Sequence, residues 1–184
     1  MNSEDIFYDV GAKVGRYTCI CGKICEQVVS FEPHPDNYSR LTENNRHNNV
    51  DSNSFQIALI NKNQKVNIGS SEDNAGKGGV QISEDGYYSV EGFKGDNFIQ
   101  KKNLEKPNIM KIDVEGAELE VLKGLSNTLE NDKLRAIFIE VHPEKLIDFS
   151  GSKEELYDFL ERKGFEIEEI QQRGDQRHIK ASKN

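Results

Sequence analysis

Four short stretches put polar, chemistry-bearing residues where an apolar run ends. Asp9-Val10-Gly11-Ala12-Lys13-Val14-Gly15 follows the run from Ile6, and glycines at such a point let a ligand approach the main chain closely. The order is G-x-x-x-G, not the G-x-G-x-x-G that aims amides at a pyrophosphate, so the stretch reads equally as a ligand loop or as a plain tight turn. Glu32 stands 23 residues after Asp9, closing the run from Gln27. A carboxylate there accepts hydrogen bonds from two vicinal ribose hydroxyls; the alternative is a surface Glu held by Pro33. Lys111-Ile112-Asp113-Val114-Glu115-Gly116-Ala117-Glu118 crowds charge at the end of a third run. Charges at the tip of a buried strand are costly unless the tip faces a cleft, although Glu115 and Glu118 would also favour a helix start. Ile139-Glu140-Val141-His142-Pro143 ends a fourth run, and the spacing of two puts Glu140 and His142 on the same side.

Positioning these groups requires strands that end together. The sequence predicts strands at Asp5–Val10, Gln27–Glu32, Phe55–Ile60, Val66–Ile68, Tyr87–Val90, Asn108–Val114 and Ala136–His142. Helices are predicted at Val14–Gly22, Asp36–Asn48, Gly95–Lys101, Ala117–Glu130 and Lys153–Lys163. Glu166–Ile170 and Arg177–Ala181 read as a closing antiparallel hairpin, and Gly69–Gly79 as a loop of Gly, Ser, Asn and Asp. The alternation calls for an α/β fold: a mostly parallel sheet with helices on its faces, in a single domain over residues 1–184.

The formal charge of -8 disfavours a nucleic-acid backbone as partner. No apolar run is long enough to span a membrane, and the polar, acidic start differs from a signal peptide. Cys19, Cys21 and Cys25 are odd in number and lack a neighbouring fourth ligand, which points to inert thiols in a reducing cytoplasm and to no structural metal. His34, His47 and His178 read as ordinary surface or strand residues.

Asp9-Val-Gly-Ala-x-Val-Gly15, Phe31-Glu-Pro-His-Pro35, the run from Lys111 to Gly124 and Ile139-Glu-Val-His-Pro143 together resemble the FkbM-type methyltransferases, from about Phe7 to Glu168. The resemblance implies a seven-stranded Rossmann-like sheet, S-adenosylmethionine as methyl donor, and O-methylation of a sugar or another small secondary-metabolite-like acceptor, possibly a glycan. Asp9, Gly11, Ala12 and Gly15 would then border the methionine end of the donor and Glu32 its ribose, while Asp113 and Glu115 would border sulfonium and acceptor. Two departures stand out. Lys13 replaces the Asn usual in such proteins, and the chain starts at its first strand, where many relatives carry an additional segment over the donor.

Methyl transfer is chiefly a matter of alignment, aided by a base that takes the acceptor proton. His142 is the first candidate base and Asp113 the second, with Glu115 and Glu140 tuning the imidazole. Three alternatives remain at this stage: the same cluster holding Mg²⁺, a domain that binds the donor without turnover, and an NAD-dependent oxidoreductase. The segments Gly69–Gly79 and Tyr87–Asn97 are expected on the acceptor side.

Overall fold

The computed structural model describes residues 1–69, 82 and 86–183. The expected loop therefore lies, from residue 70 onward, outside the described residues. Seven strands form the principal sheet: β1 (Ile6–Val10), β2 (Gln27–Phe31), β3 (Asn53–Phe55), β7 (Ile109–Ile112), β8 (Ala136–Val141), β9 (Glu166–Arg173) and β10 (Gln176–Ser182). Their order is β3-β2-β1-β7-β8-β10-β9. The first five run parallel, and β10 runs antiparallel to both β8 and β9, so the predicted fold class and closing hairpin stand.

Strand order reverses at β1, whose neighbours are β2 and β7. In open parallel sheets the crevice beyond the carboxyl ends of the strands at such a point receives the ligand. Alternation fixes what each strand offers. Ile6, Tyr8 and Val10 enter the main core with Met110, Ile112, Ile137 and Ile139, while Phe7 faces the opposite side with Cys21, Val28 and Ile109.

The helices are α1 (Arg16–Cys21), α2 (Pro35–His47), α3 (Gly95–Lys102), α4 (Glu118–Gly124), α5 (Ser126–Leu129), α6 (Pro143–Leu146) and α7 (Lys153–Arg162). Pro35 occupies the first turn of α2, where its missing N–H costs nothing. The Ser152 side chain caps α7 by accepting from the Glu155 amide. Within α1, Cys21 is buried and its thiol pushed up to about 12 by desolvation, consistent with the inert thiol expected there.

Two predicted elements are corrected, and one element is new. Phe55–Ile60 is not one strand: Asn53–Phe55 stays with β2, whereas Ala58–Ile60 becomes β4 of a second sheet, ordered β4-β6-β5, with β5 at Gln64–Ile68 and β6 at Tyr88–Lys94. Ile57, Ala58, Leu59 and Ile60 are all buried, and the exposed Gln56 before them reads in sequence as ordinary strand alternation, which hid the break. The helix predicted for Ala117–Glu130 divides at Leu125, a fully buried side chain packed where a Cβ on Gly95 would sit. The short α6 was not anticipated. No helix among the described residues is long and apolar enough to cross a membrane.

Candidate active site

The turn after β1 brings Gly11 against the end of β7. Gly11 has φ +75°, and a Cβ there would lie 1.9 Å from the Asp113 carbonyl oxygen. The first glycine thus permits contact between two strand ends, independent of any ligand. Gly15, at φ +85°, makes room for Leu41 of α2, whose Cδ1 would stand 2.5 Å from an added Cβ. Between them Lys13 is held at φ +52°, a backbone region that Asn enters far more readily than Lys. Its side chain is exposed, and its amide donates to Glu32 Oε2 at 2.7 Å.

Glu32 is 4% exposed. Its other oxygen accepts from the His34 amide at 2.9 Å, and Asn37 adds a side-chain hydrogen bond. Burial pushes this carboxyl above the usual range; the two amides, Asn37 and the Lys111 charge offset only part of that. Glu32, Asn37, Gly11, Lys13 and Asp113 line one cleft. Asn37 is itself buried, and its Oδ1 has no partner among the described residues. Ala12 and Gly15 shape the turn without lining the cleft.

Asp9 is fully buried. Thr18 of α1 donates to its Oδ2 at 2.7 Å, and the Lys111 ammonium lies 3.4 Å from Oδ1. That ammonium also donates to the Gly11 carbonyl at 2.6 Å and sits 3.6 Å from Asp113 Oδ2. Burial works against the charge on Lys111, yet Asp9 and Asp113 outweigh it and hold the group above the ordinary lysine value. Lys111 is therefore a cation that ties the β1 turn to the β7 tip. Asp113 keeps a partly open carboxylate and lines two cavities, the cleft beside Glu32 and a second on the far side of β7.

His142, at the end of β8, is 1% exposed. Its Nδ1 lies 2.8 Å from Glu118 Oε1, which also accepts from the Gly116 amide at 2.9 Å. Its Nε2 is 3.3 Å from Glu115 and 3.8 Å from Glu140, and lines neither cavity. Burial disfavours the imidazolium, but the Glu118 hydrogen bond and the charges of Glu118, Glu115 and Asp113 outweigh it, raising the pKa above the usual histidine value. Lys145 of α6 closes the group by donating to Glu115 Oε2 at 2.5 Å.

The structure thus brings Asp113, Glu115, Glu140 and His142 together as expected, and seals the imidazole beneath carboxylates. Sequence reasoning passed over Lys111, Glu118 and Lys145 as partners. Glu118 carried a usable signal: an acid on the core-facing side of an apolar helix must find a partner. His34 corrects an expectation, being 2% exposed with its ring edge-on to Tyr88 at 4.6 Å. His178 lies in β10, 3.8 Å from Glu140. Asp113, Glu115 and His142 bring one ligand atom each within 4.8 Å of one another, but lysine ammonium groups already stand beside both carboxylates.

The model of the methyltransferase FkbM domain matches residues 9–167. The chain belongs to the FkbM methyltransferase family. A curated relative, the hexuronic acid methyltransferase AglP of Haloferax volcanii, is 33% identical over 139 residues, covering 76% of this chain and 56% of that protein. A crystal structure of an FkbM methyltransferase from Methylobacillus flagellatus superposes at TM-score 0.68 and 16% identity over 99% of this chain and 44% of its own. SMU.1697c of Streptococcus mutans, solved in complex with SAH, superposes at TM-score 0.63 and 12% identity, over 100% and 91% of the two chains. The FkbM chain spans about half the length of the first two of these relatives. S-adenosylmethionine is the methyl donor that this family assignment carries with it.

Proposed function

We propose that this FkbM protein is an S-adenosylmethionine-dependent O-methyltransferase that acts on a hydroxyl of a sugar or sugar-like small molecule. The observation that carries the reading is Asp113. Its partly exposed carboxylate is the meeting point of the Glu32 cleft and the second cavity, at the switch point of the sheet.

The residues of the cleft fit the donor. Glu32 is held in place by two backbone amides with acceptor capacity left over, as vicinal ribose hydroxyls require, and the buried Asn37 Oδ1 offers a further acceptor. Lys13 acts here through its main-chain amide, so its unusual side chain does not by itself argue for a decayed site. When bound, the donor supplies a methyl group on a positively charged sulfur, which an acceptor oxygen takes while the C–S electron pair returns to sulfur.

The protein's own residues then have distinct tasks. Asp113 receives the acceptor's proton, and the Lys111 ammonium 3.6 Å away helps hold it in place. His142 was the first candidate base on sequence grounds. Its burial, raised pKa and lack of contact with either cavity favour a different role: an imidazolium that clamps Glu115 and Glu118 and so sets the loop carrying Asp113. Asp9 holds the β1 turn through Thr18 and Lys111. AglP's name as a hexuronic acid methyltransferase supports a sugar-type acceptor for this chain too.

Calorimetric titration with S-adenosylmethionine tests the donor site. Micromolar binding by the parent, weakened at least about tenfold in Glu32→Ala by loss of a buried charged acceptor, is the expected result. Absence of binding by the parent would reduce the claim to one of fold alone.

A further inference from the structure

In a glycine-rich turn, main-chain amides are the usual holders of an anionic group. Here they are taken. The Gly11 and Ala12 amides both donate to the Phe31 carbonyl, at 3.0 and 3.1 Å, and the Lys13 amide donates to Glu32 Oε2 at 2.7 Å. The Gly15 amide donates back to the Ala12 carbonyl at 2.8 Å, and Val14 does not line the cleft. Side chains must then meet any negative charge that enters beside Glu32. Among the described residues that line this cleft, the charged groups are three carboxylates, Glu32, Asp113 and Glu115, and one ammonium, that of Lys13. Asp113 and Glu115 have cations of their own, Lys111 at 3.6 Å and Lys145 at 2.5 Å, and neither lysine lines the cleft. The Lys13 side chain is exposed, and its ammonium has no ion-pair or hydrogen-bond partner among the described residues. Arg16, the next cation along the chain, lies over the Tyr17 ring at 5.9 Å and is not part of the lining.

We propose that the Lys13 ammonium binds the α-carboxylate of S-adenosylmethionine and so makes the cleft selective for a donor that keeps this carboxylate over its decarboxylated form. The inference rests on the donor reading above. The amino-acid end of the donor carries one negative group, the carboxylate, and two positive ones, the ammonium and the sulfonium. The lining offers the complementary set: carboxylates for the positive groups and one cation for the anion. With the ribose at Glu32, whose Oε2 accepts from the Lys13 amide, the side chain of the same residue stands next to the donor's path toward Asp113. Its four-carbon stem lets the ammonium follow the carboxylate and keep clear of the sulfonium. Loss of the carboxylate would remove that partner and leave only positive groups facing Lys13.

A double-mutant cycle tests this by calorimetry on the full 184-residue protein. The parent and Lys13→Gln are each titrated with S-adenosylhomocysteine and with decarboxylated S-adenosylhomocysteine. Neither ligand carries a sulfonium, so the cycle isolates the carboxylate. The parent should bind S-adenosylhomocysteine at least about fivefold tighter than the decarboxylated ligand, near the upper end for an exposed ion pair, and Lys13→Gln should bring the two within about twofold. Lys13→Arg should keep the preference. Arg16→Gln removes the same charge from the same turn but outside the cleft, and should keep it too. Equal binding of both ligands by the parent, a preference undiminished in Lys13→Gln, or an equal loss in Arg16→Gln would each overturn the proposal. Failure of both ligands to bind the parent would instead remove the donor reading, and this inference with it.

Discussion

Replacing Glu118 with Gln preserves the shape of a fully buried side chain and removes the negative charge beside His142 Nδ1. The amide oxygen of Gln can still accept from the Gly116 N–H, which Glu118 Oε1 does at 2.9 Å, so the main loss is the charge-assisted bond to the imidazolium. Hydrogen bonds to charged groups contribute about 1.5–3 kcal/mol, and both partners here are almost wholly buried, so little is lost to screening. The sign follows from the raised pKa of His142. A histidine bound more tightly to its proton in the folded state contributes stability that is complete below its unfolded pKa, about 6.5, and lost as pH rises through the folded value. Urea denaturation of parent and variant at pH 5.5, 7 and 9 should therefore show the largest deficit at pH 5.5, near 2 kcal/mol, shrinking toward pH 9. An NMR titration should find the His142 pKa lowered in the variant. A deficit independent of pH, with the pKa unmoved, would refute the clamp and leave Glu118 as a packing residue only.

Asp113→Asn should lower turnover about 100-fold or more while S-adenosylmethionine affinity stays within a few fold, because a general base contributes roughly 10²–10⁴; single-turnover methylation with a radiolabelled donor separates the two. Lys13→Asn relieves a left-handed backbone position and should raise stability by up to about 1 kcal/mol, a rise in Tm of about 2–4 °C by calorimetry. Turnover should survive dialysis against EDTA unchanged, since lysines already neutralise Asp113 and Glu115; recovery only on adding Mg²⁺ or Mn²⁺ would sink that assignment.

Much of this fold was legible because local rules and global fold agree. β1, β2 and β7 are short apolar runs ending in a charge or glycine, and such runs belong to strands buried on both faces. Glu32 was legible for the same reason, as an acid at the abrupt end of a buried strand. The break at Gln56 and Ile57 was not, because a single exposed polar residue in an apolar run is what ordinary strand alternation also produces, and no Gly or Pro marks the step. The division of the long helix at Leu125 depends on how closely α3 approaches it.

The sequence by itself determined which ionisable side chains stand at the strand ends: Asp9 one residue before the end of β1, and Glu32, Asp113 and His142 directly after β2, β7 and β8. Alternation and parallel pairing then oblige them to gather at one edge of the sheet. Only the tertiary structure decided which of them remain available. Burial and partners turned His142 into a clamped cation, tied Asp9 to Thr18 and Lys111, and left Asp113 open to two cavities. Those outcomes depend on distances between segments far apart in the chain, such as Lys111 to Gly11 and Glu118 to His142, and on the dielectric around each pair, which residue types and spacing do not encode.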